Sequence, residues 1–348
     1  MKKFVINSRV LQNSLSGLQR YLSEILKGLD EKNFKYELIA PNKKLNIIKS
    51  HLWEQFILPG RVKNCLLWSP ANSAPIKVYD QVVTAHDILQ VDRPDLHSNN
   101  ILARDLYKFI WPRVLKNSLG VIAVSNFTKS RILDRYNFVD ENKIQVIHEA
   151  PDEKFKREPP EKINEIKIKY GINKKYVLSL ASLDIKKNLK NLVLAWNLLS
   201  ELYGDFDLIL AGKKHDRLTL KNLGLDKIPD SVKFTGFVAD EDLPALYSGA
   251  EIFVFPSLYE GFGLPPIEAM ACGTPVIVAE SSSLPEVCAD GAKYIDPYNI
   301  ESIAHEIKIL LENDSERENL KLKGLERSKN FSNEKVISEH IKFFKRYL

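Results

Sequence analysis

The chain has 348 residues, 44% hydrophobic and 27% charged, with 50 basic and 45 acidic side chains for a net charge of +5. That length exceeds one comfortable core and fits two domains, and that composition is globular. The small, dispersed charge suits an anionic substrate or a lipid surface and gives no argument for nucleic acid, and no apolar run approaches the roughly 20 residues that span a bilayer.

The opening Met1-Lys2-Lys3-Phe4-Val5-Ile6-Asn7 is basic and briefly apolar, but Asn7, Ser8 and Arg9 interrupt it before a signal-peptide core can form, so it reads as a first strand. Cys65, Cys272 and Cys288 are scattered, lack metal-ligand spacing and fit small core residues of a reducing compartment. Short apolar runs at 4–6, 37–40, 66–69, 81–85, 121–124 and 144–147 alternate with helical patterns. That alternation predicts an α/β fold with a largely parallel sheet, helices on both faces and ligands beyond the carboxyl ends of the strands.

The first strand leads through Ser14-Leu15-Ser16-Gly17 into a helix carrying Leu22, Ile25, Leu26 and Leu29 on one side. Val82 to Ala85 ends in His86-Asp87, where Asp87 either orients the His86 ring or caps the next segment. Residues 101–118 form a basic amphipathic helix with Trp111, which reads as a core stripe or as a membrane-surface helix. The strand at 121–124 runs into a helix with Ser125 as N-cap. The chain turns polar and proline-bearing near Asp152, which sets a boundary between domains at 1–152 and 153–330. His148 and Glu149, just before it, carry no assigned chemistry.

The second half repeats the alternation, with strands at 176–180, 206–211, 232–238, 252–255, 275–279 and 292–295. Ser182, Lys186 and Lys187 follow the first of these, as a phosphate site requires of mobile positive charge. Asp240-Glu241-Asp242 matches an Asp-x-Asp metal pattern, but Leu243, Leu246 and Tyr247 follow at helical spacing, so acids at a helix start are the simpler reading and no metal is expected.

The most informative stretch runs from Phe253 to Gly273. An apolar strand passes through Glu260-Gly261-Phe262-Gly263-Leu264 into a short helix entered by Pro265 and Pro266, with Glu268 in its first turn. Unpaired N–H groups at the helix start favour an anion, and two carboxylates flank the corner. Glu260 to Pro265, with Glu268, Ala271, Gly273, Pro275 and Val276, closely resembles the nucleotide-sugar motif of glycosyltransferase family 4. Trp53-Glu54-Gln55-Phe56, Leu58-Pro59, Trp68 to Asn72 and the 86–94 segment resemble its mannosyltransferase-like members.

The resemblance implies two doubly wound Rossmann-like domains facing across a cleft (GT-B), with a last helix, 331–348, crossing back to the first. It implies a retaining, metal-independent transfer of a hexose from a nucleoside diphosphate, GDP-mannose ahead of UDP-hexoses, to a glycan or lipid-linked acceptor in polysaccharide or lipopolysaccharide synthesis. A cytoplasmic enzyme, peripheral on the inner membrane face, follows. By the same resemblance Gly17 and His86 face the donor from the first domain, and Lys186, Lys187 and Ser182 meet its diphosphate. Phe237 and Val238 lie beside the base, Glu260 holds sugar hydroxyls, Glu268 holds the ribose, and the backbone of Gly261, Phe262, Gly263 and Leu264 binds phosphate. Two other readings stay open: an epimerase or hydrolase of the same fold, for which His86, Asp87 and Glu149 are the available acids and bases, and a non-catalytic sugar-nucleotide-binding subunit.

Overall fold

The computed structural model describes residues 2–12, 17–96, 101–182, 184–212 and 228–348. Contacts divide the chain into two units, Met1–Ala150 with Ser332–Leu348, and Pro151–Phe331.

The first unit is built on a six-stranded parallel sheet in the order β2-β1-β3-β4-β5-β6: β1 Lys3–Asn7, β2 Glu37–Ile39, β3 Cys65–Ser69, β4 Gln81–Ala85, β5 Gly120–Ala123 and β6 Ile144–Val146. β3, β4 and β5 are buried along their whole length, as expected of parallel strands covered on both faces. On one face Leu22, Ile25 and Leu29 of the helix Gly17–Glu31 pack with Phe4, Trp68 and with Phe343 and Phe344 of the last helix, Asn333–Lys345. Gly28 permits that approach, because a Cβ there would lie 2.3 Å from Ile337 Cγ1. The last helix is thus part of the first unit's core. Ser125 caps its helix as expected, accepting from the Thr128 N–H at 3.0 Å.

In the helix Ile101–Asn117, Ile110, Trp111, Val114 and Leu115 are buried against Val83, Ala85 and Val121, so its tryptophan belongs to the core, while Leu106 and Phe109 stay exposed on the other side.

The second unit holds another parallel six-stranded sheet, ordered β12-β11-β10-β7-β8-β9: β7 Lys175–Leu180, β8 Phe206–Ala211, β9 Val232–Phe234, β10 Ile252–Phe255, β11 Val276–Ala279 and β12 Ala292–Ile295. β9 stops at Phe234, four residues short of the expected 238, because Gly236 turns the backbone at φ 78°. In both sheets the chain winds outward one way, returns to the middle and winds the other way. The order reverses between β1 and β3 in the first and between β7 and β10 in the second, and ligands of open α/β sheets bind outside the strand ends at such points.

Candidate active site

The loops after β7 and β10 meet at the second unit's switch point. After β7, Ser182 Oγ accepts from the Asp184 N–H (3.3 Å), Asp184 accepts from the Lys186 N–H, and the turn Ile185–Lys187 ends at Asn188 in the left-handed region, φ 56°. Buried Asn188 fixes that geometry by donating to the carbonyls of Pro256 (3.2 Å) and Pro297 (2.6 Å). The Leu258 N–H donates to the Lys186 carbonyl at 2.7 Å and ties the two loops together. Lys187 is thereby placed with Nζ 2.5 Å from Glu260 Oε1 and 4.6 Å from the centre of the Phe255 ring.

Glu260 is 8% exposed. Burial alone would raise its pKa, but the charges of Lys187 and Lys186 outweigh that and hold it below the usual carboxylate value. Its backbone is braced by the loop after β11, a role the sequence reading did not give these residues. Ser282 Oγ accepts the Glu260 N–H at 2.9 Å, and the Ser283 hydroxyl sits 3.0 and 2.7 Å from the carbonyls of Glu260 and Phe262. Three consecutive serines, one residue after an apolar strand, were the available signal.

Gly263 caps the helix Leu264–Ala271 at φ 104°, where glycine is favoured, and a Cβ there would lie 2.7 Å from Leu284 Cδ2 and displace that side chain. Of the first donors of that helix, Pro265 and Pro266 supply none, which leaves the N–H groups of Gly263 and Leu264. Glu268 falls in the second turn, not the first, since the helix begins at Leu264; it is 4% exposed and its Oε2 accepts from the Tyr247 hydroxyl at 3.2 Å. Phe237 is 84% exposed beside half-buried Val238, just beyond Gly236, whose carbonyl accepts from the Gly212 N–H at the end of β8.

In the first unit, His86 follows β4. Its N–H donates to Asn72 Oδ1 (2.7 Å), and its ring is held between Glu149 Oε1 at Nδ1 (2.8 Å) and the Pro70 carbonyl at Nε2 (2.9 Å). Both partners are acceptors, so both ring nitrogens donate, which only the imidazolium does. Burial pulls the His86 pKa down, but Glu149, Pro70 and Asp87 together raise it. Asp87 does not orient the ring; its Oδ1 accepts from the Leu89 N–H (3.2 Å) and from Asn72 Nδ2 (3.4 Å), which makes it a turn residue. Glu149, set aside from sequence, is the ring's partner. Gly17 opens its helix with open space around it, and the loop residues Ser14 to Ser16 before it lie outside the described residues.

Tyr21 stands edge-on to His86, ring centres 4.7 Å apart, and its hydroxyl donates to Nε2 of His340 (2.7 Å), whose Nδ1 donates to the Val336 carbonyl (2.8 Å). His340 is therefore neutral, and burial, with a contribution from His86, lowers its pKa from 6.5 to about 4. A histidine depressed in the folded state binds fewer protons than in the unfolded chain between those values, so stability falls as pH drops from 6.5 toward 4, by up to about 3 kcal/mol. Melting temperatures measured across that window are expected to fall less steeply for His340→Gln; parallel curves would contradict the assignment.

Glu54 was assigned no chemistry from sequence, and the structure makes it the centre of a buried polar cluster beyond β1. It is 0% exposed, accepts from Asn7 Nδ2 (2.9 Å) and the Ser73 hydroxyl, and pairs with Arg9 Nη2 at 3.2 Å. Burial opposes its charge, yet Arg9, His51 and Ser73 hold its pKa down. Removing one member of a buried pair typically costs about 3–5 kcal/mol. Glu54→Ala is expected to lower the melting temperature by roughly 6–20 °C; a change under about 2 °C, within the scatter of surface substitutions, would contradict this role.

The acids of the Asp-x-Asp pattern point to separate partners: Asp240 pairs with Lys154 at 2.6 Å, and buried Asp242 binds Lys169 Nζ and the Tyr170 hydroxyl, both at 2.6 Å, before the helix Leu243–Ser248.

Two Rossmann-like parallel sheets, each with polar residues gathered at its switch point, make up the GT-B fold. The model of the family "Glycosyl transferases group 1" matches residues 162–327. The chain is 31% identical over 291 residues to the O-antigen chain mannosyltransferase B of Escherichia coli, covering 81% of this chain and 74% of that protein. Among solved structures it resembles WaaG, described as a glycosyltransferase involved in lipopolysaccharide biosynthesis, with a TM-score of 0.77 at 15% identity over 98% of both chains. Anabaena HepE in complex with UDP-glucose has a TM-score of 0.75 at 17% identity, over 99% of this chain and 100% of that one. The chain belongs to the group 1 glycosyltransferases.

Proposed function

We propose that the chain transfers mannose, with retention, from GDP-mannose to a glycan or lipid-linked acceptor in the cytoplasmic synthesis of a surface polysaccharide. The observation that carries the reading is the Lys187–Glu260 pair, 2.5 Å apart at the switch point and beside the helix that Gly263 caps. Mannose is favoured by the 31% identity to a protein named a mannosyltransferase, and a nucleotide-sugar donor by the UDP-glucose complex of HepE.

The difficult event is departure of the diphosphate. Lys187 and Lys186 supply mobile positive charge, and the N–H groups of Gly261 to Leu264 supply fixed donors. Ser182 is neutral, its Oγ accepts from the Asp184 N–H, and the positive charge falls to the lysines. Glu260 accepts from hydroxyls of the transferred sugar, Glu268 from the ribose, and the exposed Phe237 ring with the Val238 backbone lies against the base. By the family resemblance His86 serves the transferred sugar; its ring is held by Glu149 and the Pro70 carbonyl. On a front-face route the bond from the anomeric carbon to the phosphate oxygen breaks with its electron pair on the phosphate. The acceptor hydroxyl oxygen bonds to that carbon on the same face, and its proton passes to the departing phosphate. The positive charge at the diphosphate comes from the protein in this account, and no metal ion enters a step.

Incubating the protein with GDP-mannose or UDP-hexoses, with and without a saccharide acceptor, tests the reading. Acceptor-dependent mannosyl transfer is expected. Release of free sugar or an epimer without acceptor would replace it with the hydrolase or epimerase reading, and binding without turnover would leave a sugar-nucleotide-binding subunit.

A further inference from the structure

One surface of the first unit serves none of this chemistry. The helix Ile47–Leu52 runs without a break into a π turn, Trp53–Ile57, and on into Leu58–Arg61. Trp53 and Leu58 face inward against Val5, Leu67 and Val62. Ile48, Leu52 and Phe56 recur at four-residue spacing and are 70%, 51% and 73% exposed, with Ile57 at 48% beside them. The wider turn slows the angular drift of such a series, which keeps the three on one stripe. Single exposed apolar side chains are ordinary, but a stripe of this kind marks an interaction site.

The exposed charge of this segment has one sign. Lys43, Lys49 and Arg61 lie on the same face, Lys44 and Lys63 adjoin them in sequence, and the sole acid from 41 to 63 is Glu54, fully buried and paired with Arg9. None of those five basic side chains forms an ion pair among the described residues. A cavity of about 390 Å³ opens on the same face, lined by Leu45, Leu52, Trp53 and Ile57 together with Lys43, Lys49 and Arg61. A second copy of the chain would bring like charges face to face, which opposes self-association. A bilayer carrying anionic phospholipid matches both features at once, with phosphates for the bases and an acyl boundary for the stripe.

We propose that residues 43–63 dock the first unit onto an anionic phospholipid surface. Ile48, Leu52, Phe56 and Ile57 enter the acyl boundary, and Lys43, Lys44, Lys49 and Arg61 meet headgroup phosphates. The proposal is independent of which sugar is transferred.

The test is sedimentation of the full chain with vesicles of phosphatidylglycerol mixed with phosphatidylethanolamine, against phosphatidylcholine alone. Binding is expected to the anionic vesicles only and to weaken as salt is raised. The paired substitution Ile48→Ser with Phe56→Ser is expected to abolish it, and Lys43→Ala with Lys49→Ala to weaken it roughly thirtyfold, about fivefold per lysine. Lys342→Ala with Lys345→Ala, at a separate lysine-lined cavity of about 1110 Å³ by the ends of β1 and β2, is expected to leave it unchanged. No binding to anionic vesicles, equal loss from all three pairs, or binding indifferent to the first two pairs would overturn the proposal. So would a dimer in gel filtration that the serine pair dissociates while vesicles bind nothing. If the serine pair lowers the melting temperature, the lysine pair decides.

Discussion

Lys187→Ala is expected to lower kcat/KM for the nucleotide sugar by about 10²–10³, the usual consequence of removing one preorganised donor from developing charge. The structure adds a second effect. Lys187 and Lys186 hold the Glu260 pKa down against its burial, so removing Lys187 is expected to raise it. Glu260→Gln should therefore behave differently. It leaves Lys187 free to engage the diphosphate, keeps the side chain's shape, and is expected to raise KM more than it lowers kcat. Initial rates at several donor concentrations separate the two. Equal losses in kcat and KM for both variants would mean that the pair acts as one structural clamp and not as a phosphate charge beside a sugar clamp.

Glu149→Gln is expected to cost about 10- to 150-fold in kcat/KM, the scale of about 1.5–3 kcal/mol for a hydrogen bond to a charged group. Glu149 does not need to touch substrate to have this effect. It holds the His86 ring as an imidazolium, and a neutral glutamine removes the charge that keeps the ring's pKa raised. A raised histidine contributes its charge fully below its ordinary value near 6.5 and loses it as pH rises through the folded value. The basic limb of the rate profile is thus expected to move to lower pH in Glu149→Gln, while Glu149→Asp partly restores it. An unmoved limb would reduce Glu149 to a packing role.

How much of this was legible in the sequence differs from one site to the other. The twelve strands among the described residues follow from apolar runs; β3, β4 and β5, buried along their length, leave no polar alternation to confuse the reading, whereas β2, β6 and β9 at the sheet edges are partly exposed. The Glu260–Glu268 corner was legible since glycines, prolines and carboxylates there are contiguous. The partners of that corner were legible only in part: Lys187 is 73 residues away from Glu260, and only the resemblance joined them. Glu149 and Glu54 were not legible. Glu149 lies 63 residues from His86, and Glu54 47 residues from Asn7. A buried carboxylate reads as a surface one until its partners are placed. For Asp87 the sequence left two roles open, and the structure gives it the turn that follows, while Glu149 makes the ring contact. In the helix Ile101–Asn117 the buried face is Ile110, Trp111, Val114 and Leu115, while Leu106 and Phe109 are exposed, and a pattern does not say which of its apolar residues meet a sheet.

The measurement closest to the central claim is calorimetric titration of GDP-mannose into the full chain and into Glu268→Ala. The account predicts saturable one-to-one binding, weakened roughly 10- to 150-fold by the substitution through the loss of charge-assisted hydrogen bonds to the ribose. Unchanged affinity in Glu268→Ala, or no binding of any nucleotide sugar by the intact protein, would contradict it.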